Sequence, residues 1–348
     1  MIKLFRLGSA VPAIVMFALL SPPAQAKSMT AILSNSTSEV AAWNEQALRS
    51  IRSTSTPPPK ASRILAILHA SIHDAYNGIA GTYEQYFVRS GFPAASASKE
   101  AAVAVAARDV LAAAFPARVD EFDSEMASQL GQVPEGPNKV AGMDFGRSVA
   151  AAIMSSRAND GASAVVRYTA TPAPGVWRPT PGAFAPALLP QWGNIVPFGV
   201  EDTTKYVPAP PPALESSQYV SDFEQVKALG SANSTRRTAE QTVIARFWAN
   251  GAGTSTPPGH WNQIARVVVR RLGLGVGEEA RLYALLNIAM ADAAIVAWKT
   301  KYQYNFWRPI TAIREAESDG NPATAADPSW TPLLATPPFP EYTSGHST

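Results

Sequence analysis

Residues 298–310 read W-K-T-K-Y-Q-Y-N-F-W-R-P-I, at the end of an apolar run that begins near Val276. Trp298, Lys301, Asn305 and Arg308 are spaced three, four and three apart, so a helix over Val276–Arg308 puts them on one stripe with two cations. Pro309 is expected to end that helix. The chain then passes through P-P-F-P-E-Y to T-S-G-H-S-T at 343–348. Ser344 offers a hydroxyl, Gly345 a backbone that a ligand can approach closely, and His346 an imidazole that moves protons near neutral pH. Together they have the chemistry of a tetrahedral-oxyanion site. Taken singly, Lys301 and Arg308 read as a solvated helix face and Ser344-Gly345-His346 as a turn; their conjunction carries the argument.

Working back from this stretch, the pattern is helical. Val40–Arg52 has helical spacing and is broken by S-T-S-T-P-P-P. Lys60–Ile79 follows, with His69 and His73 four apart and Asp74 beside the second. That is metal-like spacing with no third ligand evident and an apolar face around it, so hydrogen-bonded core histidines are favoured. Lys99–Phe115, Val119–Leu130 and Asn138–Arg157 repeat the helical periodicity. The segment 169–214 is rich in proline and cannot form regular helix. Its Trp177, Phe184, Leu188, Trp192 and Phe198 point to an ordered arm packed on a bundle, because a solvated linker has no use for such side chains. Helices resume at Glu215–Leu229, and T-A-E-Q at 238–241 predicts a capping box. His260 stands at a helix start, free either to reach a ligand or to bond the preceding loop. No strand alternation and no internal repeat of fixed period is evident. The fold class is all-α.

Composition narrows the function. With 348 residues, 46% of them hydrophobic, the chain can bury one large core or two modest ones. The formal charge of +2 is supplied by Lys3 and Arg6, which leaves the rest near neutral and argues against nucleic acid or an anionic membrane as main partner. Residues 1–26 have the parts of an export signal: Lys3 and Arg6, an apolar run over 13–20, and Ala24-Gln25-Ala26 as a cleavage site. The mature protein is therefore expected to be exported, periplasmic or secreted. No later stretch is read as long and apolar enough to span a membrane. The absence of cysteine removes disulfides and thiolate chemistry.

Lys301-x6-Arg308-Pro309 followed by Ser344-Gly345-His346 resembles the first two signature motifs of the superfamily that joins type 2 phosphatidic acid phosphatases, bacterial acid phosphatases and vanadium-dependent haloperoxidases. Thr343 stands where that family usually has proline. Trp298, the F-W before Arg308, and P-P-F-P-E-Y with Phe339 resemble the haloperoxidase branch. So do I-L-H-A-S-I-H-D-A-Y, R-F-W-A-N-G and T-P-P-G-H-W upstream.

The resemblance implies an all-helical bundle of the acid phosphatase and vanadium haloperoxidase type. Residues 27–168 would form its N-terminal helical region, 169–214 the arm, and 215–348 the start of the catalytic region. It implies a vanadate cofactor held by Lys301, Arg308, Ser344 and Gly345. His346 and Lys301 would be catalytic, and Trp298 and Phe339 would shape the halide side. Hydrogen peroxide, halide and an organic acceptor would be the small-molecule partners. The family's third motif, which carries the vanadium-ligating His, would lie beyond residue 348. The chain is on that ground expected to be an incomplete version of a longer protein, inactive alone. Two alternatives stay open: a phosphomonoesterase using the same cradle, and a non-catalytic oxyanion-binding helical protein.

Overall fold

A computed structural model describes residues 38–348; the export signal read in residues 1–26 lies outside the described residues. Among the described residues all regular elements are helical, and extended pairing is limited to two isolated bridges, Val176 with Phe306 and Ser231 with Pro332. In chain order the helices are α1 Glu39–Ser53, α2 Pro58–Ala80, α3 Lys99–Ala114, α4 Val119–Leu130 and α5 Pro137–Ser156. After the arm come α6 Ser217–Gly230, α7 Ala239–Trp248, α8 Thr256–Leu272, α9 Val276–Tyr304 and α10 Pro309–Arg314.

Local chemistry sets the boundaries. Two prolines open α2, where their missing N–H groups cost nothing, and Gly81 closes it in the left-handed conformation. Thr238 and Gln241 form the capping box that opens α7. The Glu278 carboxylate accepts the Gly275 N–H at 2.8 Å before α9, and Asn305, at φ 50°, ends that helix with its N–H on Lys301 O.

The long helices α2 and α9 pack along each other at the centre; α3 and α5 pack on α2, α4 packs on α3, and α1 touches α3 and α8 as well as the central pair. The Ala-rich α3 allows α5 very close: a Cβ at Gly142 or Gly146 would lie 2.2 Å from the Ser98 or Ala102 carbonyl oxygen. The apolar core runs from Trp43 and Leu48 through Leu65, Leu68 and Ile72 to Val149, Ala280 and Tyr283.

α9 corrects one expectation. It is long and apolar enough to cross a membrane by length and composition, yet half of its most apolar stretch is buried inside the bundle. Its polar residues are spent on the protein: Asn287 pairs with Asn262, and Asp292 caps the arm. The apolarity belongs to a core helix.

A second expectation, the lack of internal repetition, also fails. Quoted side by side, W-N-E-Q-A in α1 (43–47) and W-N-Q-I-A in α8 (261–265) share Trp, Asn and Ala at three of five positions, and the residue numbers keep one offset into the next helix of each pair. Asn44 answers to Asn262, His69 to Asn287 and Asp74 to Asp292. Both asparagines are buried, each bonded to its counterpart on the following helix. Both aspartates accept three consecutive backbone N–H groups, those of Tyr86, Phe87 and Val88 for Asp74 and of Phe198, Gly199 and Val200 for Asp292. The pairs α1–α2 and α8–α9 are thus two copies of one unit.

The proline-rich segment lies along α9. Trp177 and Trp192 are buried, and Phe184 is exposed. The Leu188 carbonyl accepts from Trp298 Nε1 at 3.2 Å and from the Tyr302 hydroxyl at 2.8 Å. A side chain at Gly193 would collide with the Lys299 backbone, its Cβ 2.4 Å from Cα, so glycine is required by close approach.

Candidate oxyanion site

The site is built where α9 ends. The helix stops at Tyr304, so the stripe expected to run from Trp298 to Arg308 is interrupted. Asn305 turns the chain, and its side chain accepts from the Tyr168 hydroxyl at 2.9 Å instead of facing the cations. Arg308 is extended, φ −82° and ψ 152°, and Pro309 opens α10 instead of closing α9. Proline suits either position, and here its fixed φ starts the next helix. The turn brings the two cations together where a continuous helix was expected to.

Both cations hold the segment 339–343. Lys301, only 1% exposed, donates to the carbonyls of Pro340 (3.0 Å), Glu341 (2.9 Å) and Thr343 (2.5 Å). Arg308 donates through Nε to Phe339 O at 2.6 Å and through Nη1 to the Glu341 carboxylate at 2.5 Å. The Phe339 ring lies under both, 5.0 Å from Lys301 Nζ and 4.6 Å from the Arg308 guanidinium carbon, and Trp298 is 5.0 Å from the same ring. Burial lowers the Lys301 pKa to about 7, the Arg308 charge pushes the same way, and Glu341 opposes them.

Trp298, Lys301, Arg308 and Phe339 are therefore assembled. Ser344, Gly345 and His346 are not brought onto the cations: all three are exposed, and the Ser344 hydroxyl accepts the His346 N–H at 3.3 Å. They follow directly on Thr343, whose carbonyl Lys301 holds. Glu341 is the residue that sequence reasoning missed; an acid in P-F-P-E-Y, just ahead of Ser344-Gly345-His346 and facing two cations, was the available signal.

The donor set fits a tetrahedral oxyanion. Arg308 already carries a carboxylate, itself an oxyanion, and its Nη2 is buried without a partner. The three Lys301 donors are spent on carbonyls, so an incoming anion has to displace part of 339–343.

The other histidines are structural in their contacts. His69 is fully buried, donates from Nε2 to Asn44 Oδ1 at 3.1 Å and stacks on Tyr283 with ring centres 4.8 Å apart. His73 bonds the Glu84 carbonyl and Asn77. Among the described residues no three His, Asp or Glu side chains group as a metal site. His260 stacks on Trp248 and bonds Asn250, so it serves the loop before α8.

Known proteins resemble this chain over the span that carries these residues. Residues 281–348 match the family model described as the VCPO second helical-bundle domain, a span that takes in most of α9 and every residue of the site. The proteins this chain is similar to include vanadium haloperoxidases. The vanadium chloroperoxidase of Curvularia inaequalis is 29% identical over 88% of this chain. The chain spans 63% of that protein's length. The structure described as the first bacterial vanadium-dependent iodoperoxidase is 27% identical, with a TM-score of 0.74 over 89% of this chain and 77% of its own. A holo-type bacterial vanadium-dependent chloroperoxidase, 18% identical, shares the fold at a TM-score of 0.61, covering 92% of this chain and 78% of its own. The all-helical expectation and the resemblance read from the two motifs are both borne out.

Proposed function

We propose that this chain carries the oxyanion cradle of a vanadate-dependent haloperoxidase, which uses hydrogen peroxide to oxidise halide to a hypohalous species that halogenates an organic acceptor. The observation that carries the reading is the convergence of Lys301 and Arg308 on Phe339, with a carboxylate already seated on the guanidinium. Vanadate, when bound, supplies an electrophilic centre that activates peroxide toward halide.

The chain's own residues have separate tasks. Lys301 and Arg308 hold the anion's oxygens by charge-assisted hydrogen bonds once the carbonyls and carboxylate of 339–343 release them. The Ser344 hydroxyl and Gly345 N–H add neutral donors. His346 takes up and returns a proton at its imidazole. Trp298 and Phe339 wall the halide side and keep water from the cations, which strengthens every charge interaction there. The composition of residues 1–26 supports placing the mature protein outside the cytoplasm, after cleavage near Ala26.

The test is a calorimetric titration with orthovanadate, followed by a bromination assay with bromide and peroxide. Lys301→Met should weaken vanadate binding about tenfold or more, the scale of one charge-assisted hydrogen bond. Affinity should fall as pH rises past about 7, because in the anion-free protein Lys301 then loses the proton that the bound anion favours. Equal affinity in the variant sinks the assignment. Vanadate binding with hydrolysis of phosphate esters and no bromination selects the phosphatase chemistry instead.

A further inference from the structure

Glu341, the acid on Arg308, is held from two directions. Its N–H donates to Phe306 O at 2.9 Å and its carbonyl accepts from Lys301 Nζ at 2.9 Å. The bond to Phe306, two residues ahead of Arg308, keeps Glu341 beside the guanidinium even when Lys301 releases the carbonyls of Pro340, Glu341 and Thr343. Arg308 itself is bound through two of its three nitrogens, Nε to Phe339 O and Nη1 to the Glu341 carboxylate, and Nη2 is the buried donor left over. An anion that takes Nη2 therefore shares one guanidinium with an anchored carboxylate.

This arrangement weighs the charge of the ligand. Lys301 and Arg308 bring two positive charges and Glu341 one negative, so the three groups, when ionised, leave one positive charge to be balanced. A singly charged tetrahedral anion balances it. A doubly charged anion leaves a buried negative charge without a partner, at a desolvation cost that pairing does not return. It also meets twice the repulsion from Glu341, because Coulomb energy scales with the product of the charges. The distinction bears on the chemistry of the site: a phosphate monoester carries about −1.5 to −2 charge at pH 7, whereas orthovanadate at that pH is mainly singly charged.

We propose that Glu341 is a specificity-determining residue whose carboxylate biases the cradle toward singly charged tetrahedral oxyanions and against doubly charged ones. The proposal rests on the oxyanion cradle proposed above and adds to it the residue that grades ligands by charge. Glu341 acts through the Arg308 it binds and through its own field on the bound anion.

Perrhenate and molybdate test this, because both are tetrahedral and similar in size, and at neutral pH they carry one and two negative charges. Each is titrated into the full chain by calorimetry at fixed ionic strength, without vanadate, peroxide or halide. Glu341→Gln and Glu341→Ala, with the circular dichroism unchanged, should each raise the affinity for molybdate relative to perrhenate about tenfold. That is the scale of one unit charge a few ångströms from a carboxylate whose side chain is 36% exposed and so partly screened. Glu341→Asp keeps the charge and should leave the ratio within about twofold of that in the unsubstituted chain, even where the shorter side chain weakens both anions. If Glu341 merely holds Arg308 in place, both affinities move together and the ratio stays put. An unchanged ratio in the two neutral variants overturns the inference and keeps the cradle. A ratio shifted as far by Glu341→Asp also overturns it, because charge is then not the cause. If neither anion saturates the unsubstituted chain, the cradle is removed and the inference falls with it.

Discussion

The helix pair α1–α2 and the pair α8–α9 share a plan and differ in what covers them. Trp43 is fully buried and donates to Gln129 of α4 at 2.9 Å, whereas Trp261, its counterpart, is 46% exposed. Ile67 is buried on α2, and its counterpart Leu285 is 54% exposed on α9. The helices α3, α4 and α5 cover the first pair, and among the described residues nothing equivalent covers the second. The second pair also runs on further. Gly81 stops α2, but its counterpart Lys299 continues α9 for more than a turn, and that extension carries Lys301. The first copy is spent on stability, and the second reaches beyond the shared plan to carry Lys301 of the candidate site.

The largest expected difference between the copies is at the two tryptophans. Trp43→Ala should cost about 3–5 kcal/mol, the usual result of emptying a packed aromatic site. Trp261→Ala should cost less than about 1 kcal/mol, because little packing is lost. Urea unfolding of both variants measures this, and similar costs would mean that the exposed tryptophan is covered in solution.

A smaller difference separates His69 from Asn287. Burial lowers the His69 pKa from 6.5 to about 3, so the folded state keeps it neutral. Asn287 exchanges two side-chain bonds with Asn262, at 2.8 and 3.0 Å, and does not titrate. The unfolded chain protonates its histidine below pH 6.5, so this group's contribution to stability is present above that pH and is lost as pH falls toward 3. Between pH 6.5 and 5 the loss is about 2 kcal/mol. His69→Asn should remove that part of the acid sensitivity; an unchanged pH slope would place the sensitivity elsewhere.

How far the sequence speaks depends on the range of the signal. Helix periodicity and capping are local, so α2, α3, α4 and α7 are legible within a few residues. The pairing of Lys301 with Arg308 is also legible, because both flank one turn. Pro309 misleads because proline ends one helix and begins another with equal ease. The duplication hides because the copies lie far apart and keep few identities, chiefly Trp-Asn, three Ala, two Arg, one Leu and the capping Asp. Glu341 stays hidden because nothing local says which of several acids will meet Arg308. For the same reason the motif 344–346 names its donors without saying where they sit.

The two aspartates should behave alike, and this is the sharpest check on the duplication. Asp74 and Asp292 each bind three successive N–H groups within 2.6–3.0 Å, and the Tyr86 hydroxyl bonds Phe198 O at 2.8 Å, tying the two capped loops together. Replacement by asparagine keeps one acceptor oxygen and takes charge-assisted bonds from the N–H groups, at a cost of about 2–4 kcal/mol in either copy. The difference between the two costs should be below about 1 kcal/mol. Hydrogen exchange adds a local readout: Asp292→Asn should free the amides of Phe198, Gly199 and Val200, and Asp74→Asn those of Tyr86, Phe87 and Val88. Because Tyr86 joins the loops, each variant should also loosen the other loop to a lesser degree. If Asp292→Asn is much the milder, the arm is held mainly by Trp177, Trp192 and the Leu188 carbonyl, and the aspartate is a remnant of the shared plan.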